Sequence, residues 1–303
     1  MKKQSRANVL LWLILAFIIP FAVQAQIVTP KTRTETPATG LFVREYKLDS
    51  KLMARQMPYN LIMPESYDSA DNKSKKYAVI YLLHGLSGHY DNWADKTKLY
   101  EYAAKYQYIL VMPEGDNGWY TDSISEKNDR YESYIIEELI PEIDRKFNTT
   151  ADRNHRFIAG LSMGGYGSIK FGLKYPQMFA LVGSFSGALG AADWTEKELG
   201  TKGAIPESIL KTFGAAGSQT RKENDIFQML RDISAEKIKN LPFIYLDCGT
   251  EDFLIQNNHD FVKLLNEKKI PHEFRELPGN HNWTFWDAQV QEFLRLSERF
   301  IKK

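Results

Sequence analysis

Five apolar runs punctuate the middle of the chain: Tyr77 to Leu83, Tyr108 to Met112, Phe157 to Leu161, Phe179 to Phe185 and Phe243 to Cys248. Each is continuous rather than alternating, the pattern of a strand covered on both faces, so these runs predict a parallel sheet enclosed by helices. The stretches between them carry helical spacing. Ile135, Ile136, Leu139, Ile140, Ile143 and Phe147 share one face, with a kink predicted at Pro141, and Trp286, Val290, Phe293, Leu294 and Phe300 share another near the C-terminus. Strand and helix alternating over this length imply right-handed crossovers and a doubly wound sheet. Ahead of it, Leu41 to Met63 reads as two extended segments ending at Pro64, an antiparallel pair at the sheet edge. The expected fold class is α/β: one domain over residues 41–303, a mostly parallel doubly wound sheet with an antiparallel N-terminal edge. Between Gly187 and Asn240 the pattern weakens, with Trp194, several glycines and Pro206 among polar residues. Residues 187–240 are expected to form a small cap-like insertion.

The first 25 residues obey a different rule. Lys2, Lys3 and Arg6 precede the apolar run Val9 to Ile19, and Val23-Gln24-Ala25 offers the small residues that signal peptidase needs. This predicts a bacterial signal peptide over residues 1–25, the run being shorter than the ~20 residues that span a bilayer. Residues 26–40, polar with Pro30 and Pro37, are expected to be a linker. Loss of the leader takes Lys plus Arg from 39 to 36 against 38 acids, so the net charge moves from +1 to −2. A near-neutral protein has no electrostatic footprint for nucleic acid or an anionic membrane, and neither is an expected partner. The expectation is a secreted or periplasmic protein with no stable membrane insertion after cleavage. Cys248, the only cysteine, precludes an internal disulfide and closes a strand-like run, as a buried structural thiol does.

Chemistry concentrates in Gly160-Leu161-Ser162-Met163-Gly164, set between the run Phe157-Ile158-Ala159 and a helical stretch. Strand, G-x-S-x-G and helix together match the sharp turn that lifts a serine hydroxyl clear of a sheet. A hydroxyl is a weak nucleophile and needs an imidazole to take its proton, oriented in turn by an acid. Of six histidines, His281 is the expected base, because its loop follows the strand-like Pro271 to Leu277, and reactive groups of open α/β sheets gather at strand carboxyl ends. Asp252, just beyond the run ending at Cys248, is the expected acid, with Asp247 and Glu251 as rivals. The backbone N–H groups of Met163 and of Leu86, in the loop His84-Gly85-Leu86-Ser87-Gly88, are the expected oxyanion donors. His84 is expected to pack and hydrogen-bond rather than act as a second base. No HExxH pair, P-loop, dinucleotide fingerprint or paired CxxC occurs, so neither metal nor cofactor is expected.

Taken together, the chain from about Leu41 onward resembles the esterase D group of α/β-hydrolases, which includes S-formylglutathione hydrolases, tributyrin-type esterases, feruloyl esterases and antigen 85 mycolyltransferases. The resemblance rests on Leu82 to Gly88, Asn117 to Asp122, Gly160 to Gly167, Cys248 to Asp252, and His281-Asn282-Trp283 with Trp286. It implies an α/β-hydrolase fold with Ser162 as nucleophile, Asp252 as acid, His281 as base, and an oxyanion hole of Leu86 and Met163. It departs at Asn280, where the family commonly has glycine. The likeness to tributyrin-type esterases through Asn117 to Asp122 implies that Trp119 and Tyr120 line the acyl or leaving-group side; read from the residues alone, they fit aromatic packing under a loop equally well. The activity implied is hydrolysis of a small-molecule or carbohydrate ester; acyl transfer to a sugar hydroxyl and a catalytically inactive binding module are the alternatives.

Overall fold

The computed structural model describes residues 43–301, so the expected signal peptide (1–25), the linker (26–40) and the first two residues of the domain lie outside the described residues. Strands β1 (Val43–Ser50) and β2 (Arg55–Ile62) pair antiparallel. They are followed by β3 (Ala78–Leu83), β4 (Tyr108–Pro113), β5 (Arg156–Leu161), β6 (Leu181–Phe185), β7 (Phe243–Gly249) and β8 (His272–Leu277). The sheet order is β1-β2-β4-β3-β5-β6-β7-β8, with β2 antiparallel to β4 and every later pairing parallel.

Helices α1 (Asn92–Lys96) and α2 (Leu99–Ala103) connect β3 to β4. Between β4 and β5 run α3 (Tyr131–Ser133), a π-helical stretch (Tyr134–Leu139) and α4 (Ile140–Lys146). The irregularity expected at Pro141 is thus a π stretch ahead of it, because proline brings no N–H and its ring displaces the carbonyl four residues earlier. Helix α5 (Met163–Lys174) follows β5. Segment 187–240 holds α6 (Glu196–Leu199), α7 (Ala204–Phe213), α8 (Gln219–Asn224), α9 (Ile226–Arg231) and α10 (Ala235–Asn240). Helix α11 (Ile255–Glu267) precedes β8, and α12 (Trp283–Ile301) closes the described chain. Among the described residues no helix is long and apolar enough to cross a membrane.

Every residue of β3, β4 and β5 is buried, which is why these strands read as unbroken apolar runs. Side chains of β3 alternate between two cores: Val79, Tyr81 and Leu83 meet α5 residues such as Ile169 and Phe171, while Ala78, Ile80 and Leu82 share the other core with Val290, Phe293 and Leu294 of α12. The winding reverses at β3, with β4 on one side and β5 on the other. The loops leaving β3 and β5 therefore part at neighbouring strand ends and open a crevice between them, the place where ligands of such sheets bind.

A buried ion pair fixes one wall of that crevice. Lys170 of α5, fully buried, donates to Tyr120 O (2.7 Å), Thr121 Oγ1 (2.6 Å) and Glu132 Oε2 (2.7 Å), using all three of its protons. Glu132 also accepts from Tyr175 Oη at 2.7 Å and pairs with Lys174 at 2.5 Å. The segment around Trp119 and Tyr120 is thereby tied to the helix that follows Ser162.

Candidate active site

Ser162 stands between β5 and α5 with φ 52° and ψ −114°, a left-handed conformation that costs a side-chain-bearing residue about 1–3 kcal/mol and persists only where its surroundings enforce it. The surroundings here are glycines. A Cβ on Gly160 would lie 2.5 Å from the Gly164 carbonyl, and one on Gly164 would lie 2.5 Å from Leu83 O, so strand and helix approach this closely only without side chains. The turn is braced by Ser162 N donating to Phe185 O (2.9 Å) and by Tyr166 N and Ala188 N donating to Ser162 O (3.1 Å each).

His281, after β8, reaches the serine: its Nε2 lies 3.0 Å from Ser162 Oγ, and its Nδ1 lies 2.9 Å from Asp252 Oδ2. A carboxylate only accepts, so Nδ1–H is the donor to Asp252 and Nε2 is left free to accept the serine proton. The imidazole is held between Phe253 (ring centroids 4.7 Å apart) and Trp286 (4.9 Å, edge-on). The Asp252 side chain is fully buried, and its other oxygen accepts from Leu254 N at 2.9 Å. Burial pushes its carboxyl up, but the His281 and Leu254 hydrogen bonds and the imidazole charge outweigh that and hold it below the usual aspartate range.

Neither rival acid contacts His281. Glu251 is spent on the histidine loop, its Oε2 accepting from Gly279 N (3.1 Å) and its own N–H donating to Gly279 O (3.0 Å). Asp247 is fully buried within β7, and both its carboxyl oxygens lack a partner among the described residues. Burial pushes its carboxyl well above the ordinary aspartate range.

Loop 84–88 lies against the serine: a Cβ on Gly85 would come within 3.4 Å of Ser162 Cβ. Gly88 N donates to Gly85 O (3.0 Å), Ser87 N donates to Asn117 Oδ1 (2.7 Å), and Leu86 lines the cavity over Ser162. Met163 is the first residue of α5, where the N–H has no acceptor within the helix. The loop's anchor is Glu114. Its Oε1 lies 3.0 Å from His84 Nε2 and accepts from Gly115 N (2.9 Å) and Asp116 N (2.6 Å), while its Oε2 lies 3.1 Å from His89 Nδ1. Buried His84 thus serves as a tie between the ends of β3 and β4.

Burial raises both Glu114 and Glu132, yet hydrogen bonds and charge from His84 in one case, and from Lys170 and Lys174 in the other, bring each down to about 2 from 4.5. A depressed carboxylate pKa contributes stability that is present above the unfolded value and lost as pH falls through the folded one. Each carboxylate is therefore expected to favour the folded state more at neutral pH than in acid, that contribution being lost between pH 4.5 and about 2. Urea denaturation at pH 5 and pH 3 checks this: the midpoint should fall steeply, and Glu132→Gln should flatten the fall. A midpoint independent of pH over that span contradicts the assignment.

The cavity above Ser162 has a volume of about 450 Å³, within the range of small-molecule sites. Trp119 lines it, with its indole donating to Ser208 Oγ at 2.9 Å. Of the two places open to Tyr120, the cavity wall and packing under the loop, it takes the second. Its φ of 50° turns the ring beneath the loop, where it is fully buried and its hydroxyl donates to His84 O at 2.9 Å. Sequence reasoning missed Trp194 and Ile205, which reach the cavity from segment 187–240, and Lys96 and Phe253. Of these only Phe253, adjacent to Asp252, carried a positional signal.

A mostly parallel eight-stranded sheet carrying Ser162 after β5, Asp252 after β7 and His281 after β8 defines an α/β-hydrolase fold. The chain belongs to the "Putative esterase" family, whose model matches residues 50–296, and it is a carboxylic ester hydrolase. It is 30% identical over 249 residues to an acetyl esterase of Caldicellulosiruptor saccharolyticus, covering 80% of this chain and 92% of that one. Among solved structures it is similar to a fluorophosphonate-binding serine hydrolase of Staphylococcus aureus (TM-score 0.74, 26% identity, 85% of this chain and 98% of that one). A ferulic acid esterase is similar too (TM-score 0.72, 25% identity, 86% and 99%).

Proposed function

We propose that this protein hydrolyses short-chain acyl esters or carbohydrate-linked acetyl and feruloyl esters outside the cytoplasm, through an acyl-enzyme on Ser162. The observation that carries the reading is the unbroken line from Asp252 through His281 to Ser162, at 2.9 and 3.0 Å, on the floor of the cavity. Ser162 Oγ attacks the ester carbonyl as its proton passes to His281 Nε2, and Asp252 stabilises the imidazolium. The N–H groups of Leu86 and Met163 receive the oxyanion, each such donor being worth about 10² to 10³ in rate. The C–O bond to the alcohol then breaks, the alcohol taking the proton from Nε2. Water, deprotonated by the same nitrogen, attacks the acyl carbon and restores the serine.

The likeness to an acetyl esterase and to a ferulic acid esterase supports this substrate class. The wall of Trp119, Trp194 and Ile205 suits a short acyl chain or an aromatic acyl ring, with residues 187–240 acting as its cap. The charged and apolar pattern of residues 1–25 supports export.

The test is turnover by residues 26–303 of p-nitrophenyl esters of increasing chain length, acetylated xylan and methyl ferulate, beside labelling with a fluorophosphonate probe. Release confined to short acyl or feruloyl esters, with the adduct on the Ser162 peptide, is the expected result. Neither release nor adduct would leave the inactive binding module as the better reading.

A further inference from the structure

We propose that Lys96 selects esters whose leaving group carries a carboxylate; this rests on the esterase reading above and specifies its substrate. Lys96 ends α1 at the rim of the cavity, exposed, with Nζ 5.3 Å from the centre of the Trp283 ring. Trp283 is fixed edge-on against Trp93 (5.5 Å) and Trp286 (5.3 Å), and Trp286 is edge-on to His281. The cation therefore rests on a rigid aromatic wall that ends at the imidazole.

That wall belongs to the leaving group. The departing oxygen takes its proton from His281 Nε2, so the alcohol half of the ester must lie along the histidine, and Asn282 and Trp283 follow it directly in the chain. The Trp119, Trp194 and Ile205 part of the lining is then left for the acyl half.

The charge of Lys96 is uncompensated within the cavity, since no aspartate or glutamate lines it. Asp252 is sealed behind His281 with no exposed side-chain area. Asp287 of α12 is engaged by Lys98 N (2.8 Å) and by the Tyr102 hydroxyl (2.9 Å). Among the described residues Lys96 makes no salt bridge. A single cation over apolar walls focuses its field into the cleft, which favours an anionic ligand there and disfavours a cationic one. The chemistry fitted is an ester of a carboxyphenol or of a hydroxyl on a sugar acid.

The experiment compares kcat/KM for 4-carboxyphenyl acetate and for its neutral analogue 4-carbamoylphenyl acetate. Intrinsic reactivities cancel when the ratio is compared between variants. Lys96→Gln is expected to lower the anionic-to-neutral ratio about three- to tenfold, Lys96→Glu to lower it further, and Lys96→Arg to keep it. In the unaltered protein the ratio should shrink as salt is raised from about 0.02 to about 0.5 M. A second pair places the charge on the acyl half, 4-nitrophenyl hemisuccinate against 4-nitrophenyl butyrate, and its ratio should not respond to Lys96→Gln. A leaving-group ratio unmoved in both the Gln and Glu variants overturns the proposal, as does a response confined to the acyl pair. If the unaltered protein turns over none of the four esters, it is the esterase reading that fails, and the role of Lys96 with it.

Discussion

Ser162→Ala is expected to lower kcat for an activated ester by about 10⁶-fold while leaving stability within about 1 kcal/mol. The two halves of that expectation have separate causes. Rate collapses because the acyl-enzyme route needs an oxygen 3.0 Å from His281 Nε2, and among the described residues no other hydroxyl contacts that nitrogen. Stability is nearly unchanged because alanine keeps the backbone that the glycines and the Ser162 N–H to Phe185 O bond enforce, losing one hydroxyl at a half-exposed position. A residue of about 10³ to 10⁴ over the uncatalysed rate should survive from the oxyanion donors and from binding. Adding His281→Ala to Ser162→Ala should cost almost nothing more, since the groups act as a unit. Turnover within tenfold of the unaltered protein, in a variant with native near-ultraviolet circular dichroism, would refute a role for Ser162.

How much of this was legible in the sequence depended on whether a feature was local. The strands β3, β4 and β5 were readable because burial on both faces forces each position to be apolar, whatever its neighbours elsewhere. Ser162 was readable for a similar reason: the glycine spacing records how closely α5 approaches β5 and Leu83. Tyr120 was not. Its side chain points under the loop because Trp119 and Tyr120 both take φ near 50°, a choice stabilised from a distance by Lys170, fifty residues on. Lys96 was invisible for another reason, because its meaning lies in the absence of acids from walls contributed by widely separated segments. The π stretch before Pro141 lies between these cases: proline announces an interrupted ladder, while the packing decides how the interruption is absorbed.

Asp252→Asn is expected to lower kcat about 10⁴-fold, and Asp247→Asn less than about threefold, although the two carboxyls lie only five residues apart. Asparagine keeps the shape of Asp252, and its one oxygen is drawn to the Leu254 N–H that now binds Oδ1 at 2.9 Å. That leaves the amide NH₂ facing His281 Nδ1. A donor there holds the imidazole in the tautomer with its proton on Nε2, which cannot accept the proton of Ser162, and the charge that stabilised the imidazolium is gone as well. At Asp247 the same change replaces a buried carboxyl, pushed by burial toward its neutral form, by a neutral group of nearly equal volume, so stability should move by about 1 kcal/mol or less. Steady-state kinetics on both variants with one substrate, beside urea denaturation, separates the cases. If Asp247→Asn instead abolishes turnover in a protein of unchanged stability, the carboxylate that orients His281 is Asp247, and the 2.9 Å contact between Asp252 and His281 is not the one on which turnover depends.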